Sequence, residues 1–194
     1  MWIISSSYMP KAEHFTFQTR WMANRLLARD KNNQVYSGGL ISDVTYRYFE
    51  NGYLLSTSMF CDDLHRWIPI QLTWMRGLSE EYYKIHFATL FRQFLAASIT
   101  PAKRDTLVRE VVDFSSAQVE GFIAAYLEVF RQGTREEIRK ILKGCRENYR
   151  QSVTRIKRNR LLIMADEEVS TLSIFLFFPE SKMSCKVWSR LLQS

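Results

Sequence analysis

Hydrophobic and polar positions follow two different periods along this chain, and the places where the period changes divide it into segments. Residues 39–48, 53–61 and 66–75 are short runs rich in Thr, Tyr, Ile and Leu, joined at Asn51-Gly52 and Asp62-Asp63. β-Branched and aromatic residues between turn formers predict strands, and joins this short predict an antiparallel meander. From Ser79 the period lengthens. Ser79-Glu80-Glu81 offers a cap and two acids for a first helical turn. Tyr83, Phe87, Leu90, Phe91 and Phe94 then recur at helical spacing towards Ala97. Residues 106–114 return to strand character. Ser115 and Gln118 follow at capping-box spacing, ahead of a helix whose apolar face is Val119, Phe122, Ile123, Tyr126, Val129 and Phe130. A third helix is predicted from about Thr134 to Lys157, with Gly144 as its weak point. Before these segments, residues 11–30 carry Phe15, Trp21, Met22, Leu26 and Leu27 among charges and predict a helix, so 1–38 reads as a helical lead-in. Residues 161–194 give no clear element.

Composition bounds this picture. At 194 residues the chain is about one domain, and 46% hydrophobic content argues against disorder. Cys61, Cys145 and Cys185 are odd in number and widely spaced, which suggests reduced thiols and a nuclear or cytoplasmic protein that is not secreted. The first residues lack the pattern of a signal peptide. The most apolar later run, 172–178, is too short to span a bilayer, so no membrane partner is expected. The net charge of +7 favours polyanionic partners.

Much of that charge comes from one stretch. Arg131 to Arg160 holds eleven Lys or Arg against three Glu. Arg135, Arg139, Lys143, Arg146 and Arg150 recur at steps of three and four, which on a continuous helix aligns them on one face. With Arg155, Lys157 and Arg158 they form a candidate surface for the DNA backbone. The plainer alternative is a solvated outer face.

Two acids stand in strand-like segments, Asp43 in GGLISDVTYRYF and Asp113 in VVDFSSAQ. A buried strand tolerates Asp poorly unless something pairs with the charge. Asp113 can simply favour the next helix N-terminus, and Asp43 can face solvent. The order of three antiparallel strands, helix, strand, helix nonetheless matches the first part of an RNase H-like α/β domain, a mixed sheet with flanking helices. There, one Asp on the first strand and one at the end of the fourth converge on neighbouring strands.

Four stretches carry a more specific resemblance: GGLISDVTYRYF, YLLSTSMFCDDLHRWIPIQLTWMRGLSEEYYKIHFATLF, VVDFSSAQVEGFIAAYLEVF and ILKGCRENYRQSVTRIKR. Together, over about residues 39–160, they resemble the transposase domain of Mutator-like elements, closest to fungal forms. The resemblance implies that Asp43 and Asp113 are catalytic metal ligands for Mg²⁺ or Mn²⁺, with DNA as substrate and strand cleavage and transfer as the reaction. Two departures stand against a complete enzyme. The family's Cys-x-x-His element reads Cys145-Arg146-Glu147-Asn148 here, and Asn148 lacks an imidazole. The family's third acid is a Glu well beyond this region, and Glu147, Glu167 and Glu168 are unsingled candidates for it. A truncated or degenerate transposase domain is therefore expected. The alternative is a non-catalytic DNA-binding or interaction protein built on the basic helix over 135–158. An unrelated α/β protein whose Asp113 only caps a helix is a third possibility, and homo-oligomerisation is left open. Trp67, Trp74, Tyr82 and Tyr83 are expected to be core rather than a stacking platform, His65 and His86 to be structural, and Asp62-Asp63 to form a turn. No P-loop or dinucleotide fingerprint is present.

Overall fold

The computed structural model describes residues 1–96, 99–112 and 115–144. These belong to the first of two units into which the chain divides, Met1–Cys145 and Arg146–Ser194. In chain order the elements are β1 (Trp2–Ser7), β2 (His14–Gln18), α1 (Arg20–Leu26), β3 (Leu40–Thr45), β4 (Tyr53–Cys61) and β5 (Arg66–Met75). There follow α2 (Glu80–Gln93), α3 (Pro101–Leu107), β6 (Glu110–Val112), α4 (Ser116–Phe130), α5 (Arg135–Ile141) and β7 (Leu142–Gly144).

The strands form one mixed sheet in the order β1-β2-β5-β4-β3-β6-β7. From β1 to β3 all neighbours are antiparallel. β6 lies parallel to β3, and β7 parallel to β6. A crossover through α2 and α3 makes the first parallel step sterically natural, because only a long connection returns a chain to the same direction. Asn51-Gly52 makes the β3–β4 turn as expected. Gly52 has φ +96°, and a Cβ there would meet the Trp74 indole nitrogen at 2.7 Å, so the turn needs glycine on both counts.

α2 and α4 bury their apolar faces against each other and the sheet. Phe87 and Phe91 each meet the Phe122 ring at 5.1 Å, edge to face, and Tyr126 meets Phe130 at 4.8 Å. Such geometry adds to area burial because a ring's positive edge meets a negative face. The backbones approach closely at Gly121, where a Cβ would sit 2.6 Å from the Tyr83 Cβ and 2.8 Å from the Glu80 carbonyl oxygen.

Three expectations fail here. The helix expected over 11–30 is instead β2 followed by the short α1, and β1 precedes them. In β2 the polar residues His14, Thr16 and Gln18 are the buried ones, while Phe15 and Phe17 are half-buried on the other face. That inversion hides a strand from any reading that places hydrophobic residues inside. The strand expected over 106–114 shrinks to Glu110–Val112, because Thr100 caps Pro101–Leu107 as a helix, with proline in its first turn. The long third helix ends at Ile141. Leu142 turns extended (φ −76°, ψ 145°) and the chain joins the sheet beside β6, with Gly144, a poor helix former, in that strand.

Candidate functional site

β3 shows Leu40, Ser42 and Val44 to the core, which turns Asp43 to the opposite, exposed face of the sheet. There it is paired with Ser56 of β4, whose hydroxyl donates to the Asp43 carbonyl oxygen at 3.4 Å. Although Asp43 is solvent-exposed, the protein around its carboxylate partly desolvates it and raises its pKa, against a smaller opposing effect from the Val44 backbone N–H. Among the described residues Asp43 has no ion pair.

The segment that leads to Asp113 pairs with β3 in register. Leu40 is opposite Glu110 and Ile41 opposite Val111, a constant offset of 70 positions. Ser42 and Val112, the next residue on each strand, are both buried. Asp113 itself lies outside the described residues, as do Cys145, Arg146, Asn148, Arg150, Arg155, Lys157 and Arg158, together with Glu147, Glu167 and Glu168. Among the described residues no three of His, Cys, Asp and Glu come together in a way that could hold a metal ion.

The basic residues that are described do not share one helical face. Arg135 and Arg139 sit on α5 and both donate to the Glu120 carboxylate of α4, Arg139 at 2.6 Å. Lys143 is on β7 instead. The regular step through Arg135, Arg139 and Lys143 therefore does not correspond to a stripe, since the helix that would align them stops two residues before Lys143. The paired arginines are about half exposed, and such surface pairs are worth little to stability.

A polar network beneath the sheet went unpredicted. Thr16 Oγ1 is 2.9 Å from Thr73 Oγ1, and Thr73 Oγ1 is 2.6 Å from His86 Nδ1. On the other side of the ring, His86 Nε2 is 2.7 Å from Thr57 Oγ1, which is 2.5 Å from Ser42 Oγ. All five side chains are buried, and they join β2, β5, β4 and β3 to α2. Gln71 Nε2 lies 3.4 Å from His86 Nδ1 and donates to the His86 carbonyl oxygen at 2.9 Å. A donor beside Nδ1 favours the tautomer with the proton on Nε2, so every hydroxyl donates in one direction, from Thr16 through the ring to Ser42. Burial pushes the His86 pKa down to about 3. The ring is closed to solvent, so the network sets strand register and helix position rather than reacting. Gln118, expected in a capping box, is also buried and donates to the Ser42 carbonyl oxygen at 3.5 Å, tying α4 to the strand that carries Asp43. The network's signal in the sequence is a polar residue at alternate positions of otherwise apolar strands.

The other expectations resolve simply. Tyr82 and Tyr83 are core, while Trp67 and Trp74 are only half-buried. Asp62-Asp63 forms a turn, with Asp63 accepting from Arg25 at 2.7 Å. No helix among the described residues is long and apolar enough to cross a membrane. No family model, curated protein or solved structure matches the chain.

Proposed function

We infer that this chain is an RNase H-like domain of the Mutator-like transposase type, which cleaves DNA strands with a divalent metal held by Asp43 and Asp113. One observation carries the reading. The strand that ends before Asp113 runs parallel to β3, and the offset that pairs Leu40 with Glu110 and Ile41 with Val111 leads, two positions on, from Asp43 to Asp113. Parallel neighbours in register bring paired positions to the same face, so a carboxylate on each strand there would make a two-acid site. The sheet order supports the same reading: an RNase H-like domain sets its fourth strand beside its first, after an antiparallel trio, as β5-β4-β3-β6 does here.

Asp43 suits the metal chemically. It is a hard oxygen donor of the kind Mg²⁺ takes, exposed, and its raised pKa marks a carboxylate whose negative charge is under-compensated. Bound there, Mg²⁺ would supply activation of the attacking oxygen and stabilisation of the leaving one. The protein's own contribution is to hold the strands rigidly. Gln118, Ser42 and Thr57 hold the β3 backbone from below, one residue before Asp43.

The test is nicking of supercoiled plasmid. The full chain should nick DNA with Mg²⁺ or Mn²⁺ and stop on chelation, and Asp43→Asn and Asp113→Asn should each reduce nicking to background with the circular dichroism spectrum unchanged. Nicking that survives both substitutions overturns the site. Salt-sensitive DNA binding without nicking by the wild type selects the non-catalytic DNA-binding alternative.

A further inference from the structure

The face of the sheet that carries Asp43 also carries a line of aromatic rings. Two cross-strand rows lie side by side on it. In one, Asp43 is opposite Ser56, Ser56 opposite Leu72, and Leu72 opposite Phe17. In the other, Thr45 is opposite Leu54, Leu54 opposite Trp74, and Trp74 opposite Phe15. Rows two residues apart along a strand are separated by roughly 7 Å.

The second row continues past its β2 end. Phe15 meets Trp74 at 5.5 Å, and Tyr8 meets Phe15 edge to face at 5.3 Å. At the β3–β4 turn, Tyr46 and Tyr53 meet at 5.6 Å on the opposite face, since Tyr53 is paired with the buried Met75. The turn is tied to the row by Trp74 Nε1, which donates to the Asn51 carbonyl oxygen at 2.9 Å. The rings of the row are not core. Tyr8 is 77% exposed and Phe15 and Trp74 are half-buried, whereas Tyr82 and Tyr83 of the core are at most 6% exposed.

We propose that this aromatic row is a stacking platform that seats an unpaired DNA strand beside Asp43. The inference deepens the reading of Asp43 as a reactive carboxylate and rests on it for the role of the strand, though not for its binding. The chemistry selects the occupant. Rings ordered 5–6 Å apart by contact with one another offer π surfaces at little entropic cost, and every base has a face to stack on them. A duplex hides those base faces between its pairs, so only an unpaired strand presents them. Exposed cations border the row and match a phosphate backbone: Lys11 before β2, Arg47 in the turn between Tyr46 and Tyr48, and Arg76 after β5. Arg76 lies 3.9 Å from Glu13, a distance that leaves it able to turn to a phosphate. Bases stacked on the row would bring the sugar-phosphate chain over the neighbouring row, where Asp43 stands.

The experiment is fluorescence anisotropy of the full chain with a labelled single-stranded oligonucleotide and with the matching duplex. The test variant is Tyr8→Ala, at an exposed position, checked by circular dichroism and thermal melting. Single-strand affinity should fall by about tenfold or more, the loss expected when a stacked base is released, while duplex affinity changes by less than about twofold. Tyr8→Phe should restore it, since the ring and not the hydroxyl is used. No single-strand binding by the wild type, unchanged affinity in the alanine variant, or an equal loss on duplex overturns the platform. Asp43→Asn separates the two readings, because it should keep single-strand affinity while abolishing nicking. If the wild type never nicks but the alanine variant loses single-strand binding, the catalytic reading falls and the platform stands. Nicking by the wild type with unchanged affinity in the alanine variant overturns the platform alone.

Discussion

Replacing His86 by leucine tests the buried network through its pH dependence. In the folded chain the imidazole is buried between Thr57 and Thr73, and burial lowers its pKa to about 3. In the unfolded chain the same ring takes a proton near pH 6.5. The unfolded state therefore binds the extra proton between those values, and the stability of the folded state rises with pH through that window and is complete above it. Each pH unit corresponds to about 1.4 kcal/mol, so between pH 6.5 and pH 5 the wild type loses about 2 kcal/mol through this ring.

Leucine removes the titration and fills a similar volume. At pH 7 it leaves Thr57 with Ser42 and Thr73 with Thr16 as remaining partners, which limits the cost to about 2 kcal/mol, in the range for buried groups that lose a hydrogen bond. Urea denaturation at pH 7 and at pH 5 measures both quantities. Groups other than His86 titrate alike in the two proteins and cancel in the difference. The variant should be the weaker by about 2 kcal/mol at pH 7, and the two should be nearly equal at pH 5. An unchanged gap at the two pH values refutes the reasoning, because it means that the folded ring accepts a proton as readily as the unfolded one.

Other changes probe other parts of the molecule. Gly121→Ala would be favoured by about 1 kcal/mol from helix propensity. Its Cβ would press on Tyr83 and on the Glu80 carbonyl, so a net loss of about 1–3 kcal/mol is expected in chemical denaturation; a gain would mean that α2 and α4 do not approach closely. Glu120→Gln should release Arg135 and Arg139 with a stability change below about 1 kcal/mol. If those arginines lie along a DNA path, the slope of log affinity against log salt steepens by about one unit for each; an unchanged slope removes α5 from that path. Asp43→Asn should raise the melting temperature slightly at neutral pH, because the folded state penalises the carboxylate there. That gain should shrink as pH falls and the wild-type acid takes up its proton.

The sequence made the central part of this fold legible where polarity and burial agree. β3, β4, β5, α2 and α4 have apolar faces at the right period, and Asn51-Gly52 marks a turn that its own positive φ requires. The N-terminal strands were not legible, since β2 buries His14, Thr16 and Gln18 and turns Phe15 and Phe17 outward. The end of α5 at Ile141 was hidden because Arg135, Arg139 and Lys143 keep helical spacing across a boundary that sheet pairing decides. Asp43 could be named from its place in an apolar segment. Its relation to β6 could not, because register between strands 70 residues apart is a tertiary fact.

The buried network and the aromatic row follow from the same inversion. A strand alternates strictly, so each threonine placed inside sends its neighbour outside. Thr16 and Thr73 face His86 because a hydrogen-bonded ring under the sheet needs hydroxyls above it, and Phe15, Phe17 and Trp74 are thereby committed to the other face. An ordinary amphipathic strand would have done the opposite, with aromatics in the core and threonines in water. Exposed rings cost free energy unless something covers them, and the hydroxyl chain inside needs full satisfaction to be tolerated at all. The arrangement forgoes a simpler core on one side and leaves stackable rings on the other, in the row next to Asp43. The network already holds strand register and helix position, and a role in binding would account for the rings that it turns outward.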